Sequence, residues 1–194
     1  KRKRIIVIGG SAAGPKAAAK ARRIDNDAEV IIMQKDADLS MASCGYPYYV
    51  GGYFDDRNML LCTPAGVVRN PLFYLNAKDI DAEVNTEVTA IAVSKHSVSF
   101  RKLATGETGT LAYDKLIIAT GAVPRIPPVP GADLEGITTL QSMRDADFLR
   151  KVRDEGSIKK AVVIGGVLIG IETCEALQLA GIEITVIELL PQLL

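Results

Sequence analysis

The sequence predicts an α/β protein in which one strand–turn–helix–strand unit occurs twice, and three observations carry that prediction. First, Arg4-Ile-Ile-Val-Ile-Gly-Gly-Ser-Ala-Ala-Gly14 aligns with Lys160-Ala-Val-Val-Ile-Gly-Gly-Val-Leu-Ile-Gly170 at a constant offset of 156 positions, Gly9 to Gly165. Second, each glycine turn follows a short all-apolar run and precedes an Ala- or Leu-rich helical stretch, to about Ile24 and to about Ala180. Third, each helix leads into a β-branched run, Glu29 to Met33 and Glu183 to Ile187.

A glycine turn between a strand and a helix suits a dinucleotide: the first glycine makes the tight turn, and the helix N-terminus faces a pyrophosphate. The fold class is therefore two Rossmann-like three-layer nucleotide-binding domains, the second incomplete. Gly9, Gly14, Gly165, Gly166 and Gly170 are the turn residues. Both copies depart from the pattern at the middle glycine, where Ser11 and Val167 stand. Ser11 can donate a hydrogen bond to a phosphate and Val167 cannot, so weaker nicotinamide nucleotide binding is expected at the second turn. The acidic residue that binds ribose hydroxyls is Glu188 in the second unit, and a carboxylate there favours NAD over NADP by repelling a 2′-phosphate. The first unit has Gln34 and then Lys35, so a ribose would meet an amide without charge.

Composition fits a globular protein: 194 residues, 48% hydrophobic and 24% charged. The formal net charge is zero, from 23 basic and 23 acidic side chains, which argues against nucleic acid or an anionic membrane as partner. No apolar run reaches the roughly 20 residues of a membrane span, and a cytoplasmic location is expected. The three cysteines, Cys44, Cys62 and Cys174, show no spacing suited to a metal site or a disulfide framework. Cys62 and Cys174 read as small buried or half-buried hydrophobes.

Between the units, a helix around Leu72 to Lys78 leads to a strand at Ile80 to Val84. Val88 to Val93 and Ser97 to Phe100 alternate like an antiparallel hairpin, with Lys95 and a solvated His96 in its turn. Gly106 to Thr110 reads as another turn, and Lys115 to Ala119 as a buried parallel strand ending at Thr120 and Gly121. Val123 to Gly131 is too proline-rich for a helix or central strand and reads as a linker. The expected domains are thus residues 1–122, carrying the small β-hairpin insertion, and 132–194, joined by 123–131. Ile137 to Leu140 is expected as a strand, and Ser142 as the cap of a helix to about Glu155.

Cys44 lies in Ser40-Met-Ala-Ser-Cys44-Gly45-Tyr46-Pro47-Tyr48-Tyr49, a few residues after the first unit, so the fold is expected to bring it towards the nucleotide. A helix capped by Ser40 would stabilise a thiolate with its unpaired N–H groups. Lys16, Lys20 and Arg23 recur at helical spacing on one face of the first helix, with Ala13, Ala17, Ala21 and Ile24 as the adjoining face expected to pack on the sheet. Such a stripe is either a solvated basic face or, beside a reactive thiol, the site of a phosphorylated thiol substrate.

These segments, with Ala119-Thr120-Gly121 and Gly170-Ile171-Glu172, resemble the coenzyme A-disulfide reductase branch of the FAD-dependent pyridine nucleotide–disulfide oxidoreductases, which includes NADH oxidases and NAD(P)H-dependent persulfide or polysulfide reductases. The resemblance spans the whole chain, and its specific part is the single cysteine in S-x-x-x-C-G-x-P-Y-Y. It implies that the first domain binds FAD and the second NADH or NADPH, with Cys44 as the catalytic thiol working through a mixed disulfide with coenzyme A or a sulfenic acid. It implies FAD contacts from Gly9, Ser11, Ala12, Gln34, Lys35, Thr120, Gly121 and the Val88 backbone, and a place for Glu172 near the flavin and nicotinamide rings. It puts Lys16, Lys20, Arg23, Ser40, Ser43 and Lys78 around coenzyme A. Ser43 stands where asparagine is common and Gln34 where glutamate is common.

The implied reaction passes electrons from NAD(P)H through flavin and Cys44 to a CoA disulfide, CoA persulfide or polysulfide. Two alternatives stay open: an NADH oxidase or peroxidase working through a Cys44 sulfenic acid, and a non-catalytic nucleotide-binding redox sensor. The chain is expected to be the N-terminal part of a longer, homodimeric enzyme.

Overall fold

The computed structural model describes residues 2–193. Lys1 and Leu194, the outer limits of the two expected domains, lie outside the described residues. The elements run β1 (Arg4–Ile8), α1 (Ala13–Ile24), β2 (Glu29–Met33), α2 (Tyr46–Gly51), α3 (Pro71–Lys78), β3 (Asp81–Glu83), β4 (Thr86–Ala92), β5 (Ser97–Lys102), β6 (Thr108–Ala112), β7 (Lys115–Ile118), α4 (Met143–Glu155), β8 (Lys160–Ile164), α5 (Leu168–Gln178) and β9 (Glu183–Ile187). The described residues form two compact units, 2–41 with 61–122, and 42–60 with 123–193.

In the first unit a parallel sheet has the order β3-β2-β1-β7. Its two central strands are apolar at nearly every position because both faces are covered. On one face Ile5, Val7, Val30 and Ile32 pack with Ala18 of α1, Tyr74 of α3, Leu39 and Ile80. On the other, Ile6, Ile8, Ile31 and Met33 meet Val98, with Val88, Phe100 and Leu111 around them. This second face is covered by the antiparallel sheet β4-β5-β6. Ile6, Val7 and Ile32 are completely buried, each contributing about 1.5–3 kcal/mol by transfer from water. The unit is thus three layers, with each of the four apolar β1 side chains, Ile5 to Ile8, committed to one of two cores.

Four expectations for this unit need correction or refinement. The helix face against the sheet centres on the buried Gly14, Pro15 and Ala18; of the expected residues Ala21 packs against this core and Ala17 is half-buried, whereas Ala13 is exposed and Ile24 is 73% exposed. The reason is steric: a Cβ on Gly14 would lie 1.8 Å from the Gly9 carbonyl oxygen, so glycine contact, rather than the alanine count, sets the helix rotation. Residues 108–110, expected in a turn, belong to β6, which pairs with β5 from Arg101↔Thr108 to Ser97↔Ala112 and makes the hairpin a three-stranded sheet. β7 is parallel as expected, but it is an edge strand, and Ile118 is 61% exposed. Ser40 caps no helix: it has φ +55, its N–H donates to the Gly10 carbonyl (2.8 Å), and the buried Leu39 and Met41 flank it. The α3 helix is capped by Asn70, whose side chain accepts from the Phe73 N–H at 2.9 Å.

In the second unit β8 and β9 pair in parallel from Lys160↔Glu183 to Ile164↔Ile187. No strand forms at 137–140, where Asp145 instead takes the local polar groups: its Oδ2 accepts from Thr139 Oγ1 (3.0 Å) and from the Gln141 N–H (2.9 Å). The same carboxylate accepts from the Ser142 N–H while Ser142 Oγ accepts from the Asp145 N–H, a reciprocal box that starts α4. Residues 42–60 group with this unit, rather than with the 1–122 domain expected from the sequence, because α2 packs against both α4 and α5. Tyr46, Pro47, Tyr49, Val50 and Gly51 are buried on α2. Among the described residues no helix is long and apolar enough to cross a membrane.

Candidate active site

The two glycine turns are built alike. The first-glycine N–H extends the ladder in both, Gly9 to Met33 O at 2.9 Å and Gly165 to Ile187 O at 2.8 Å. Gly9 has φ +103 and Gly165 φ +109, backbone that other residues adopt only with strain. The second-glycine N–H donates to the residue ending the second strand: Gly10 to Gln34 Oε1 at 2.7 Å, and Gly166 to Glu188 Oε2 at 2.6 Å. The third glycine touches the turn itself, since a Cβ on Gly170 would lie 1.9 Å from the Gly165 carbonyl oxygen, as on Gly14. Each turn therefore presents a helix N-terminus with its backbone bared, a cradle that fits a pyrophosphate.

Gln34 is 5% exposed and reaches back to its turn as an amide. Glu188 does so as a carboxylate, and hydrogen bonds from the backbone of Gly166, and then of Leu190, hold it below the usual carboxylate range. Ser11 and Ala12 are exposed at the start of α1, and Val167, 57% exposed, caps α5 through its backbone alone. Thr120 and Gly121 follow β7 beside the first turn, where a Cβ on Gly9 would lie 3.3 Å from the Thr120 nitrogen. Lys35 pairs with Glu87 at 2.8 Å, and Arg101 reaches the same carboxylate at 2.8 Å, the two cations depressing its pKa. The neighbouring Val88 stands at a register shift between Val88 and Ala90. Glu172 is exposed on α5.

Lys16, Lys20 and Arg23 are all exposed on α1. Arg23 and Lys78 share a groove of about 370 Å³ between α1 and α3, also lined by Arg22, Asn26, Asn76 and Asp79. Lys16 and Lys20 do not line it. Arg22 is tied to Asp79, whose pKa it lowers, while Arg23 and Lys78 add two further cations to the groove lining.

Cys44 and Ser43 are exposed in a single 3-10 turn, Ser43–Gly45, that runs directly into α2. Gly45 packs closely against Leu60 there, since a Cβ would lie 2.3 Å from Leu60 Cδ2 and that side chain would have to shift. The Ala42 N–H donates to Leu60 O at 2.9 Å, closing the loop 42–60 on itself. Cys62 and Cys174 are half-buried, as expected, and burial pushes the Cys174 thiol up.

One set of residues escaped the sequence reading. Arg150 of α4 donates through Nη1 to the carbonyls of Tyr49 (2.9 Å) and Phe54 (3.0 Å), through Nη2 to Asp55 (2.5 Å), and through Nε to Asp154 (2.7 Å). Its guanidinium lies 5.4 Å from the Tyr49 ring centroid. Burial, then the Asp147 carboxylate beside it, raises the Tyr49 phenol. In sequence Arg150 and Asp154 look like an ordinary solvent-facing i,i+4 pair, and nothing links them to residues 49–55.

The model of the family described as pyridine nucleotide-disulphide oxidoreductase matches residues 3–194. A coenzyme A disulfide reductase of Staphylococcus haemolyticus is 35% identical over 185 residues, covering 95% of this chain and 40% of the relative. An NADH oxidase of Methanocaldococcus jannaschii is 31% identical, covering 98% of this chain and 41% of the relative. The structure of an NAD-dependent persulfide reductase from A. fulgidus superimposes with a TM-score of 0.90 at 40% identity, over 94% of this chain and 33% of that one. The chain thus spans about 40% of the length of the curated relatives it matches. Twin glycine cradles, a full-length family match and these neighbours agree: the chain belongs to the pyridine nucleotide-disulphide oxidoreductase family.

Proposed function

We propose that the protein is a flavoenzyme that passes electrons from NADH to a coenzyme A disulfide, coenzyme A persulfide or polysulfide, with Cys44 as its single redox thiol. The observation that carries this reading is the pair of matching glycine cradles, each of a form suited to a dinucleotide. The first cradle, with Gln34, Thr120 and Gly121, fits FAD, since Gly9 and Gly14 leave the backbone bare where a side chain would fill the space. FAD, when bound, supplies two-electron transfer between a nicotinamide and a sulfur. The second cradle, with Glu188, fits NADH, whose 2′-hydroxyl the carboxylate accepts from and whose 2′-phosphate counterpart it repels.

Cys44 supports the acceptor side because it is exposed on a turn held by Gly45 and Leu60. Its sulfur attacks one sulfur of a CoA disulfide: a Cys44–sulfur bond forms, the substrate S–S bond breaks, and one CoA thiolate leaves. Two electrons from NADH and one proton then release the second CoA thiol and restore the Cys44 thiolate. Arg23 and Lys78, across their groove, and Lys16 and Lys20 on the same helix, offer cations to the phosphates of coenzyme A. The Staphylococcus and A. fulgidus relatives, named for a CoA disulfide and a persulfide, favour this acceptor class. The Methanocaldococcus relative favours a second reading, NADH oxidation through a Cys44 sulfenic acid.

Anaerobic titration of the full-length flavoprotein with NADH, followed by CoA disulfide or CoA persulfide, decides between them. The expected result is flavin reoxidation with CoA trapped on Cys44 by mass, and loss of that reoxidation in Cys44→Ser. Reoxidation by oxygen or peroxide alone, with a sulfenic acid at Cys44, would establish the second reading.

A further inference from the structure

We propose that Arg150 is a positioning residue for Cys44, holding the turn that carries the thiol by gripping the far end of the helix behind it; this rests on the role of Cys44 given above. The turn Ser43–Gly45 continues into α2 without a break, Gly45 and Tyr46 both having right-handed helical dihedrals. A six-residue helix is too short to hold its own place, so its orientation is set by what binds its two ends. At the Cys44 end the constraint is the Leu60 side chain against Gly45. At the other end the last carbonyls carry the negative end of the helix dipole, and the Gly52 and Tyr53 N–H groups already donate to Tyr49 and Tyr48, leaving the second lone pair of the Tyr49 carbonyl for a cation. There Arg150 takes the Tyr49 and Phe54 carbonyls on one nitrogen and Asp55 on the other.

The guanidinium is itself fixed. Its side chain is 13% exposed, Asp154 holds its Nε, and Tyr49 lies under its plane. Arg57 pairs with Asp147 of α4 at 3.2 Å, so α4 holds the 42–60 segment at a second point. Arg153 closes the same corner, its guanidinium 2.4 Å from the place a Cβ on Gly52 would take. A planar fork matched to two carbonyls and two carboxylates is a task lysine fulfils only in part. The geometry therefore couples a residue on α4 to the thiol turn through one rigid turn and a half of helix.

The test compares wild-type full-length flavoprotein with Arg150→Gln and Arg150→Lys by two measurements. In anaerobic stopped flow, flavin reduction by NADH is expected to stay within about twofold of wild type, while reoxidation by CoA disulfide falls about tenfold in the Gln variant and recovers partly in the Lys variant. Independently of any turnover, iodoacetamide labelling mapped by mass is expected to move Cys44 about fivefold towards the rate of a free peptide thiol, with Cys62 and Cys174 unchanged. Both half-reactions falling together, all three cysteines changing, or Cys44 labelling within about twofold of wild type would overturn the proposal. If wild-type protein shows no Cys44-dependent reoxidation, the functional reading fails, and the labelling result alone decides the role of Arg150.

Discussion

The two glycine turns share their backbone hydrogen bonds but differ in what surrounds them. Beside the first, β7 runs along β1, and a Cβ on Gly9 would lie 2.2 Å from the Ala119 carbonyl oxygen. Around Gly165, with almost the same φ, such a Cβ would meet open space beyond its chain neighbours among the described residues. Glycine is thus required at Gly165 by backbone conformation, and at Gly9 by conformation and space together. The strand-end partner differs as well, a buried amide against a part-exposed carboxylate. One motif, repeated, is thus set by its neighbours in two different surroundings.

The sharpest way to break this comparison is Gly14→Ala set against Gly170→Ala. Each new Cβ meets a carbonyl oxygen, at 1.8 and 1.9 Å, so each is expected to cost about 3 kcal/mol locally. The consequences should separate: loss of bound flavin on purification for the first, and loss of NADH-driven flavin bleaching with flavin retained for the second. Flavin lost equally from both would dissolve the assignment of one nucleotide to each turn.

A smaller effect is expected at Glu188. Glu188→Gln should relax the preference for NADH over NADPH by about tenfold, read as a ratio of kcat/KM values. The pH sense follows from its lowered pKa. The charge is fully present above the ordinary carboxylate range, near pH 4.3, and is lost only as pH falls through the lower folded value. Wild-type preference should therefore be flat through neutral pH and fade only in acid. The smallest effect is expected for Val167→Gly, which bares the helix start without disturbing an extended backbone (φ −92, ψ 179) and should tighten NADH about three- to tenfold by equilibrium titration.

The sequence was legible wherever one residue decides its own local structure. The two second strands, Glu29–Met33 and Glu183–Ile187, have the expected limits because apolar runs between polar turns leave no alternative. Ser142 caps α4 because the hydroxyl and Asp145 lie three residues apart. Legibility failed where packing in three dimensions decides. The rotation of α1 is set by the Gly9 carbonyl against Gly14, a contact that depends on β1 and the turn as well as the helix and that a count of alanines does not reveal. Ser40 resembles a helix cap but takes a left-handed backbone between buried Leu39 and Met41. Arg150 and Tyr49 are 101 residues apart, and no pattern of spacing joins them.

The excursion of residues 42–60 also bears on how the protein is made. That segment leaves the ribosome roughly 120 residues before α5 is complete, which at about 5–20 residues per second is some 6–24 s. During that interval the first unit already has most of its sheet, while Tyr46, Tyr49 and Val50 await the helices that will bury them. The nascent chain thus displays Cys44 beside an apolar, unshielded segment until α5 has emerged, so the thiol is most open to wrong partners during that interval.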